Sequence, residues 1–305
     1  MGELRILRPG LFTTVQDHGR WRYQHLGVPV SGAMDLYSHQ LANALVGNDP
    51  CAATLEVTLL GPHVEFADEC VFAVAGAEFR MTLNNQDVPM YQRIEAPNVS
   101  VLRFGARVRG ARAYLAVRGG LDVPMVLESR ATHATSHMGG FEGRGLRAGD
   151  VLKTGSGAFS PAREAKRHPT PFLLELPRGG ATLRVIVGDI AAAQLAGKRF
   201  TVSPQSDRMG YRLDGPPVTG TSGELISNPV PVGAIQVLPG GGLALLMADH
   251  ATSGGYAIAA TVISADLPIA GQLAPGDWIE FAACSLGDAD AALRAQRRAL
   301  AENAA

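Results

Sequence analysis

Asp249, His250, Thr252 and Ser253 follow an apolar run, Leu243 to Ala248, and lead directly into Gly254 and Gly255. An acid, an imidazole and two hydroxyls at the end of a strand can move protons and hold an oxygen in place. The paired glycines let backbone N–H groups come close to a ligand. The same residues also suit a tight turn capped by its own polar side chains. Upstream, Arg208 and Arg212 stand four apart in the turn-rich stretch from Ser206 to Leu213. Two guanidinium groups in such a setting can clamp a carboxylate or phosphate bidentately. The alternative is an ion pair with Asp207 or Asp214. Gln236 lies on an expected strand ending at Val237. Near the N-terminus, the stretch from Pro9 to Asp35 is dense in polar groups and glycine and shows little hydrophobic periodicity. It reads as ordered loop, and long ordered loops in compact domains usually carry function. Gln16, Asp17 and Asp35 either face a site there or tie the loop to itself through side-chain to backbone hydrogen bonds.

The elements that must position these residues are mostly strands. Gly and Pro cut the chain into short apolar runs, such as Val71 to Ala75, Val99 to Phe104, Ala113 to Val117, Leu183 to Val187 and Ile258 to Ile263. This punctuation marks a mostly-β protein with a few short helices. Asn84-Asn85 signals a hairpin turn. Met34, Leu41, Ala42 and Leu45 recur at helical spacing with Gly47 as a stop, which predicts a helix carrying Tyr37, His39 and Gln40 at its surface or core edge. A short helix capped by Asp189 follows the strand at Leu183 to Val187. A surface helix closes the chain over Leu286 to Leu300.

Length favours two domains. The polar and proline-rich stretch between Gly155 and Thr182 places the boundary, giving an N-terminal domain 1–165 and a C-terminal domain 166–305. One echo supports two similar halves: Leu146-Arg-Ala-Gly-Asp150-Val resembles Leu273-Ala-Pro-Gly-Asp277-Trp, each before a closing strand. The formal net charge is −1, which argues against a nucleic-acid protein and a polybasic membrane anchor. The expectation is a cytoplasmic protein without nucleic-acid or membrane partners. The N-terminus lacks an apolar core of signal-peptide type. Cys51, Cys70 and Cys284 have no metal-ligand spacing and fit reduced thiols, so no metal site is expected. Gly197-Lys198 is followed by Arg199, which excludes a phosphate-loop motif.

Longer motifs go further. Thr13-Thr-Val-Gln-Asp17, His25-Leu-Gly-Val-Pro29, Gly32-Ala-Met-Asp35, Gly139-Gly-Phe-Glu-Gly-Arg144, Ser206-Asp-Arg-Met-Gly-Tyr-Arg212, Gly233-Ala-Ile-Gln236 and Thr252-x-Gly-Gly-Tyr256 occur in this order. Together they resemble the biotin-dependent carboxyltransferase-type family. That family includes the C subunit of prokaryotic 5-oxoprolinase, the kinase-inhibitor antagonist KipA and half of the urea carboxylase transferase domain. The resemblance covers nearly the whole chain. It implies two cyclophilin-like β-barrel domains. It implies a complex with two partners, a KipI-like B subunit plus a LamB or hydantoinase-like A subunit. It implies ATP-dependent opening of 5-oxoproline to L-glutamate, with ATP and Mg acting at the level of the complex. One alternative is biotin-dependent carboxyl transfer to urea or a similar amide. Another is a non-catalytic partner that antagonises a kinase inhibitor. Biotin would arrive on another chain, because Lys153, Lys166 and Lys198 lie in no Met-Lys-Met motif.

Both chemistries activate an amide, so charge must be held at oxygen and a proton moved. The resemblance then casts Arg208 as an anion clamp, with Arg212 as a second choice. Gln236 orients a carbonyl, and Asp249 or His250 moves protons. Thr252, Gly254, Gly255 and Tyr256 line the substrate, and His25, Gln16 and Asp35 complete the pocket. Where the family usually carries arginine this sequence has His250. An imidazole neutral at pH 7 holds an anion less well than a fixed cation, which leaves Arg208 as the better clamp.

Overall fold

The computed structural model describes residues 2–155, 175–187, 193–219 and 226–304. The chain divides into two compact units. The first comprises Met1–Arg20, Ser31–Leu176 and Arg297–Ala305, and the second Trp21–Val30 and Pro177–Gln296. The boundary expected at 165/166, and the helix cap expected at Asp189, lie outside the described residues.

The first unit is a ten-stranded sheet. Its strands are β1 (Glu3–Arg8), β2 (Phe12–Gln16), β3 (Thr54–Thr58), β4 (His63–Phe66), β5 (Cys70–Leu83), β6 (Gln86–Val88), β7 (Ile94–Ala96), β8 (Ser100–Val117), β9 (Leu121–Asp122) and β10 (Val151–Thr154). The main order is β2-β3-β8-β4-β1-β10-β9, and β5 pairs with β6, β7 and β8. One face turns Leu4, Ile6, Leu55, Val64, Phe66, Phe72, Leu102 and Leu115 into a core from which water is excluded. Phe66 and Phe72 stack there with ring centroids 5.1 Å apart. Gly105 and Gly110 do not end the strand between the runs at Val99 and Ala113. They fall within β8, whose register against β5 shifts three times between Gly76 and Met81, so bulges absorb the irregularity.

Helix α1 (Leu36–Leu45) lies on the other face of part of this sheet. Its Tyr37, Leu41, Ala42 and Leu45 pack on Ala73, Ala75, Tyr114 and Ala116. Small alanines let the helix sit close. A different cover, the segment around Thr132 and Leu146, whose amides donate to the Val15 and Thr13 carbonyls, explains why β2 escaped a periodicity reading. Thr13, Thr14, Val15 and Gln16 are all buried, so neither face of the strand is solvated and no apolar–polar alternation remains. The stretch expected to be loop is therefore a strand at Phe12–Gln16, paired with β3 over its whole length.

The second unit closes on itself. Strands β11 (Gly180–Val187), β12 (Arg199–Val202), β13 (Gly210–Asp214), β15 (Ala234–Val237), β16 (Leu243–Leu246), β18 (Ala257–Val262) and β19 (Trp278–Ala283) form a closed barrel in the order β11-β18-β15-β16-β13-β12-β19. A small ribbon pairs β14 (Asn228–Pro229) with β17 (Ser253–Gly254). Leu183, Val185, Phe200, Leu213, Ile235, Leu245, Val262 and Ile279 fill the interior. A short helix, α2 (Leu267–Gly271), precedes β19, and α3 (Leu286–Ala304) follows it. The mostly-β class with two barrel-like sheets agrees with the sequence reading.

The echoed segments form matching turns. Arg147 N donates to Asp150 Oδ2 at 2.7 Å, and Ala274 N donates to Asp277 Oδ2 at 2.8 Å. Gly149 and Gly276 have φ of 92° and 91°. Nothing lies within 4 Å of where a Cβ would stand, so the left-handed backbone alone demands glycine. Each turn feeds the strand that closes its half, β10 or β19.

Candidate functional site

The second unit assembles its polar residues by strand register. In the β13–β16 ladder Gly210 faces Leu246. Running outward from that pair, the two chains place Arg208 and Asp249 at the same end of the barrel. The Asp249 amide donates to the Arg208 carbonyl at 2.8 Å, and the Met247 amide to the Met209 carbonyl at 3.0 Å. The side chains then close a fork: Arg208 Nε reaches Asp249 Oδ2 at 2.9 Å, and Nη2 reaches Oδ1 at 3.0 Å. Both residues are buried, at 8% and 4% exposure. A bidentate pair with little water around it is strong and fixed in direction.

This arrangement corrects one expectation. The partner of Arg208 is Asp249, not Asp207 or Asp214. Asp207 instead accepts from the Met209 and Gly210 amides and shapes its own turn. Both oxygens of Asp249 accept from one guanidinium, which never gives up its proton.

His250 follows directly and is buried. Its amide donates to the Met247 carbonyl, and its ring Nδ1 lies 2.7 Å from the Ala251 carbonyl oxygen. A carbonyl only accepts, so Nδ1 carries the hydrogen and Nε2 holds the lone pair of the neutral ring. Burial lowers the pKa of this imidazole, against smaller opposing effects of the Ala251 carbonyl and the Asp249 charge. The ring is thus neutral at neutral pH.

Gln236 lies mid-barrel, facing Ala244 on β16 and Ile258 on β18. The register of β15 against β18 shifts between Ile235 and Gln236. Its buried amide passes beneath Gly254, where a Cβ would stand 2.7 Å from Gln236 Nε2. Gly254 thus serves here by lacking a side chain. Thr252 and Gly255 are half-buried beside it, and Tyr256 and Met209 are 48% and 41% exposed. Buried polar groups beside a solvent-facing rim are the form expected of a binding site. Arg212 does not join them. It alternates with buried Tyr211 and Leu213 and stands exposed on the outside of β13.

The first-unit residues are placed differently. Gln16 Nε2 donates to Thr14 Oγ1 at 3.0 Å and to the Thr132 carbonyl at 3.1 Å. Asp35 caps α1, accepting from Ser38 N at 2.8 Å and from Ser38 Oγ at 2.6 Å. Both are fully buried; Asp35 ties its own segment together, and Gln16 links its strand to the distant Thr132. His25 lies in the one-turn segment Gln24–Leu26, is exposed, and belongs with the second unit.

Sequence reasoning missed the group that organises this face. Glu56 Oε2 accepts from Tyr114 Oη at 2.8 Å and from Met34 N at 2.9 Å, and Tyr114 Oη accepts from Asp35 N at 2.8 Å. These bonds fasten the Gly32-Ala-Met-Asp35 motif to the sheet. Its signal was a carboxylate inside an otherwise strand-like run, Thr54-Leu-Glu-Val-Thr58. Arg20 was missed as well. It is fully buried and donates to the Val126 and Ala131 carbonyls. Gly139 makes room for it, since a Cβ there would collide with Arg20 Nη2. The glycine-rich motif at Gly139 thus seats an arginine.

Among the described residues no three His, Cys, Asp or Glu side chains gather as metal ligands, and no helix is long and apolar enough to cross a membrane. The three cysteines are free thiols.

Comparison with known proteins agrees with this architecture. Residues 26–283 match the family described as carboxyltransferase domain, subdomain A and B. The C subunit of the Escherichia coli 5-oxoprolinase is 37% identical over 303 residues, covering 97% of this chain and 96% of that protein. The urea amidolyase of Saccharomyces cerevisiae is 34% identical over 302 residues, covering 91% of this chain but only 16% of the yeast protein. The crystal structure of the K. lactis urea amidolyase superimposes with a TM-score of 0.92 at 34% identity, over 99% of this chain and 20% of that one. The chain therefore spans about a sixth of the yeast relatives and nearly all of the bacterial one. With its two barrels, its ordered motifs and a match over most of its length, this chain belongs to the carboxyltransferase-domain family.

Proposed function

We propose that this chain is the C subunit of an ATP-dependent 5-oxoprolinase, which adds water across the lactam C–N bond of 5-oxoproline to give L-glutamate. The observation that carries the reading is the near end-to-end likeness to the E. coli protein, which covers almost the full length of both chains. The A and B subunits of that enzyme are the proposed partners. ATP and Mg2+ belong to the assembled complex. Among the described residues of this chain no three His, Cys, Asp or Glu side chains gather, and the sequence has no phosphate-loop motif.

The second-unit geometry supports definite roles. Opening a lactam needs a base for the attacking water and a proton for the departing nitrogen. His250, neutral with its lone pair on Nε2, serves both ends of that transfer. Gln236 orients the lactam carbonyl with its amide. The Arg208–Asp249 fork holds the Met247–His250 loop in place, acting as a positioning pair rather than as an acid or base.

A second reading, carboxyl transfer from carboxybiotin on another chain to an amide nitrogen, is supported by the close superposition on the urea amidolyase structure.

The test is ATP-dependent glutamate release from 5-oxoproline by this chain purified with its genomic A and B subunits, each omitted in turn. Activity is expected only in the complete mixture, and His250→Gln and Gln236→Leu should each lower it at least about 100-fold. An assembled, folded complex without activity would overturn the oxoprolinase reading. Carboxybiotin-dependent transfer by the same complex would then establish the second.

A further inference from the structure

The outer face of the first sheet carries three rows of charge that are arranged differently. In one row Glu3 faces Lys153 across β1 and β10. In the next Arg5 faces Glu65, and their side chains pair at 3.2 Å. In the third, Arg8 faces His63 and His63 faces Arg103, across β1, β4 and β8. The register shift between Ile6 and Arg8 brings Arg8 into this line. Among the described residues no carboxylate lies within ion-pair distance of Arg8, His63 or Arg103; the Arg103 guanidinium donates to Asn85 Oδ1 at 3.1 Å. Arg8 is exposed, and His63 and Arg103 are half-buried. After burial, Arg8 and Arg103 are the groups that lower the His63 pKa, so the three side chains sense one another.

Like charges placed directly opposite across strands are unfavourable. Across β1, β4 and β8 the third row holds two arginines and an imidazole; it reaches a carboxylate, exposed Asp87 on β6, only two strands beyond Arg103 by way of Thr82 on β5, so there is room between the arginines for an anion. We propose that Arg8, His63 and Arg103 form a binding site for a phosphoryl group. Strands lie about 4.8 Å apart, so the two arginines root about 10 Å from each other with His63 between them. Their planar forks can converge over the imidazole and take two edges of a tetrahedral oxyanion, while the ring donates to a third oxygen. β4 is flanked by β1 and β8 and has no free edge, so a peptide cannot add to it as a strand. That favours a compact anion gripped by side chains alone over an acidic segment of a partner protein.

The test is calorimetric titration of the full chain with inorganic phosphate and, separately, with ADP, at constant ionic strength. Saturable binding is expected. Arg8→Ala and Arg103→Ala should each weaken it at least fivefold, and together should abolish it. Arg5→Ala in the balanced row should leave it unchanged. All three side chains reach the surface, so melting temperatures should stay within a few degrees of the parent. The His63 ring resonance should shift with phosphate in the parent and not in the double variant. ADP binding more tightly than phosphate identifies a nucleotide as the source of the phosphoryl group, and equal or weaker binding identifies free phosphate; either supports the site. Absence of saturable binding, or an equal loss in Arg5→Ala, would overturn it. This readout is independent of glutamate release.

Discussion

Both units bury polar side chains at the margin of a sheet, yet the two clusters differ in kind. In the first unit Gln16, Asp35, His39, Glu56 and Tyr114 are each at most 1% exposed. Each bonds to another member or to nearby backbone or hydroxyls, as Tyr114 does to Glu56 and His39 does to Thr54 at 2.9 Å. In the second unit the closed Arg208–Asp249 pair precedes buried His250, buried Gln236 lies under Gly254, and Met209 and Tyr256 are exposed. A densely bonded buried polar network specifies a fold, although in this one Gln16 Oε1 and His39 Nε2 are buried without a hydrogen-bond partner among the described residues. A cluster that keeps a lone pair and an amide close to solvent can do chemistry on a ligand. Burial of polar groups alone does not separate the two; access does.

The largest expected effect tests whether the Arg208–Asp249 fork is framework or reagent. Arg208→Ala leaves a carboxylate buried without its cation, and it should cost about 3–5 kcal/mol of stability. Replacing both partners together, Arg208→Met with Asp249→Leu, should restore most of that loss. Denaturant unfolding of the three proteins measures it. If the doubly substituted chain is stable and its complex also releases glutamate at the parent rate, the fork is framework only. If it is stable and the complex inactive, the fork also sets the geometry of His250.

The next effect belongs to the first unit and is read through pH. Complete burial, assisted by His18, lowers the His39 pKa from 6.5 to about 3. Between those values the unfolded chain takes up a proton that the folded chain refuses. Stability is therefore full above pH 6.5 and falls as the pH drops toward 3. The slope is about 1.4 kcal/mol per pH unit, or about 2 kcal/mol lost between pH 6.5 and 5. Urea midpoints at pH 7.5 and 5 should show this loss, and His39→Gln should reduce it by one proton's worth. Burial also lowers the His18 and His250 pKa values, so some slope will remain in that variant. An unchanged slope would mean that His39 is not held neutral.

What could be read from the sequence was what local backbone chemistry decides. Asn84 and Asn85 turn the chain between β5 and β6 with φ of 51° and 69°, as their position between two strand-like runs required. The Gly-Asp turns before β10 and β19 announced themselves by composition. The body of α1 was visible in the helical repeat of Leu41, Ala42 and Leu45, but its cap, Asp35, reads in the sequence as a pocket or loop residue. Whatever depends on contacts between distant strands stayed hidden. Nothing near Arg208 in the sequence points to Asp249, 41 residues away; the β13–β16 register makes the pair. The burial of Thr13, Thr14, Val15 and Gln16 alike erased the alternation that would have revealed β2 as a strand. Glu56 and Arg20 became visible only when their partners, 58 and 111 residues distant, were in place.

The smallest structural change should have the most local consequence. At Gly254 a methyl group would stand 2.7 Å from Gln236 Nε2 and 3.6 Å from the nearest Val230 carbon. The backbone there is not left-handed, so alanine fits the chain path and narrows the unfolded ensemble slightly. The atom in the way ends a flexible amide that can swing aside. Gly254→Ala should therefore change stability by less than about 1 kcal/mol. The displaced amide, however, no longer stands where it would meet a substrate carbonyl. A displacement near 1 Å of an orienting group lowers turnover by up to about 100-fold. Measured on the assembled complex, a fall in glutamate release with an unchanged melting temperature would show that Gln236 works on the ligand. Parent-level activity would place Gln236 among the framework groups and make the second unit's cluster more like the first's.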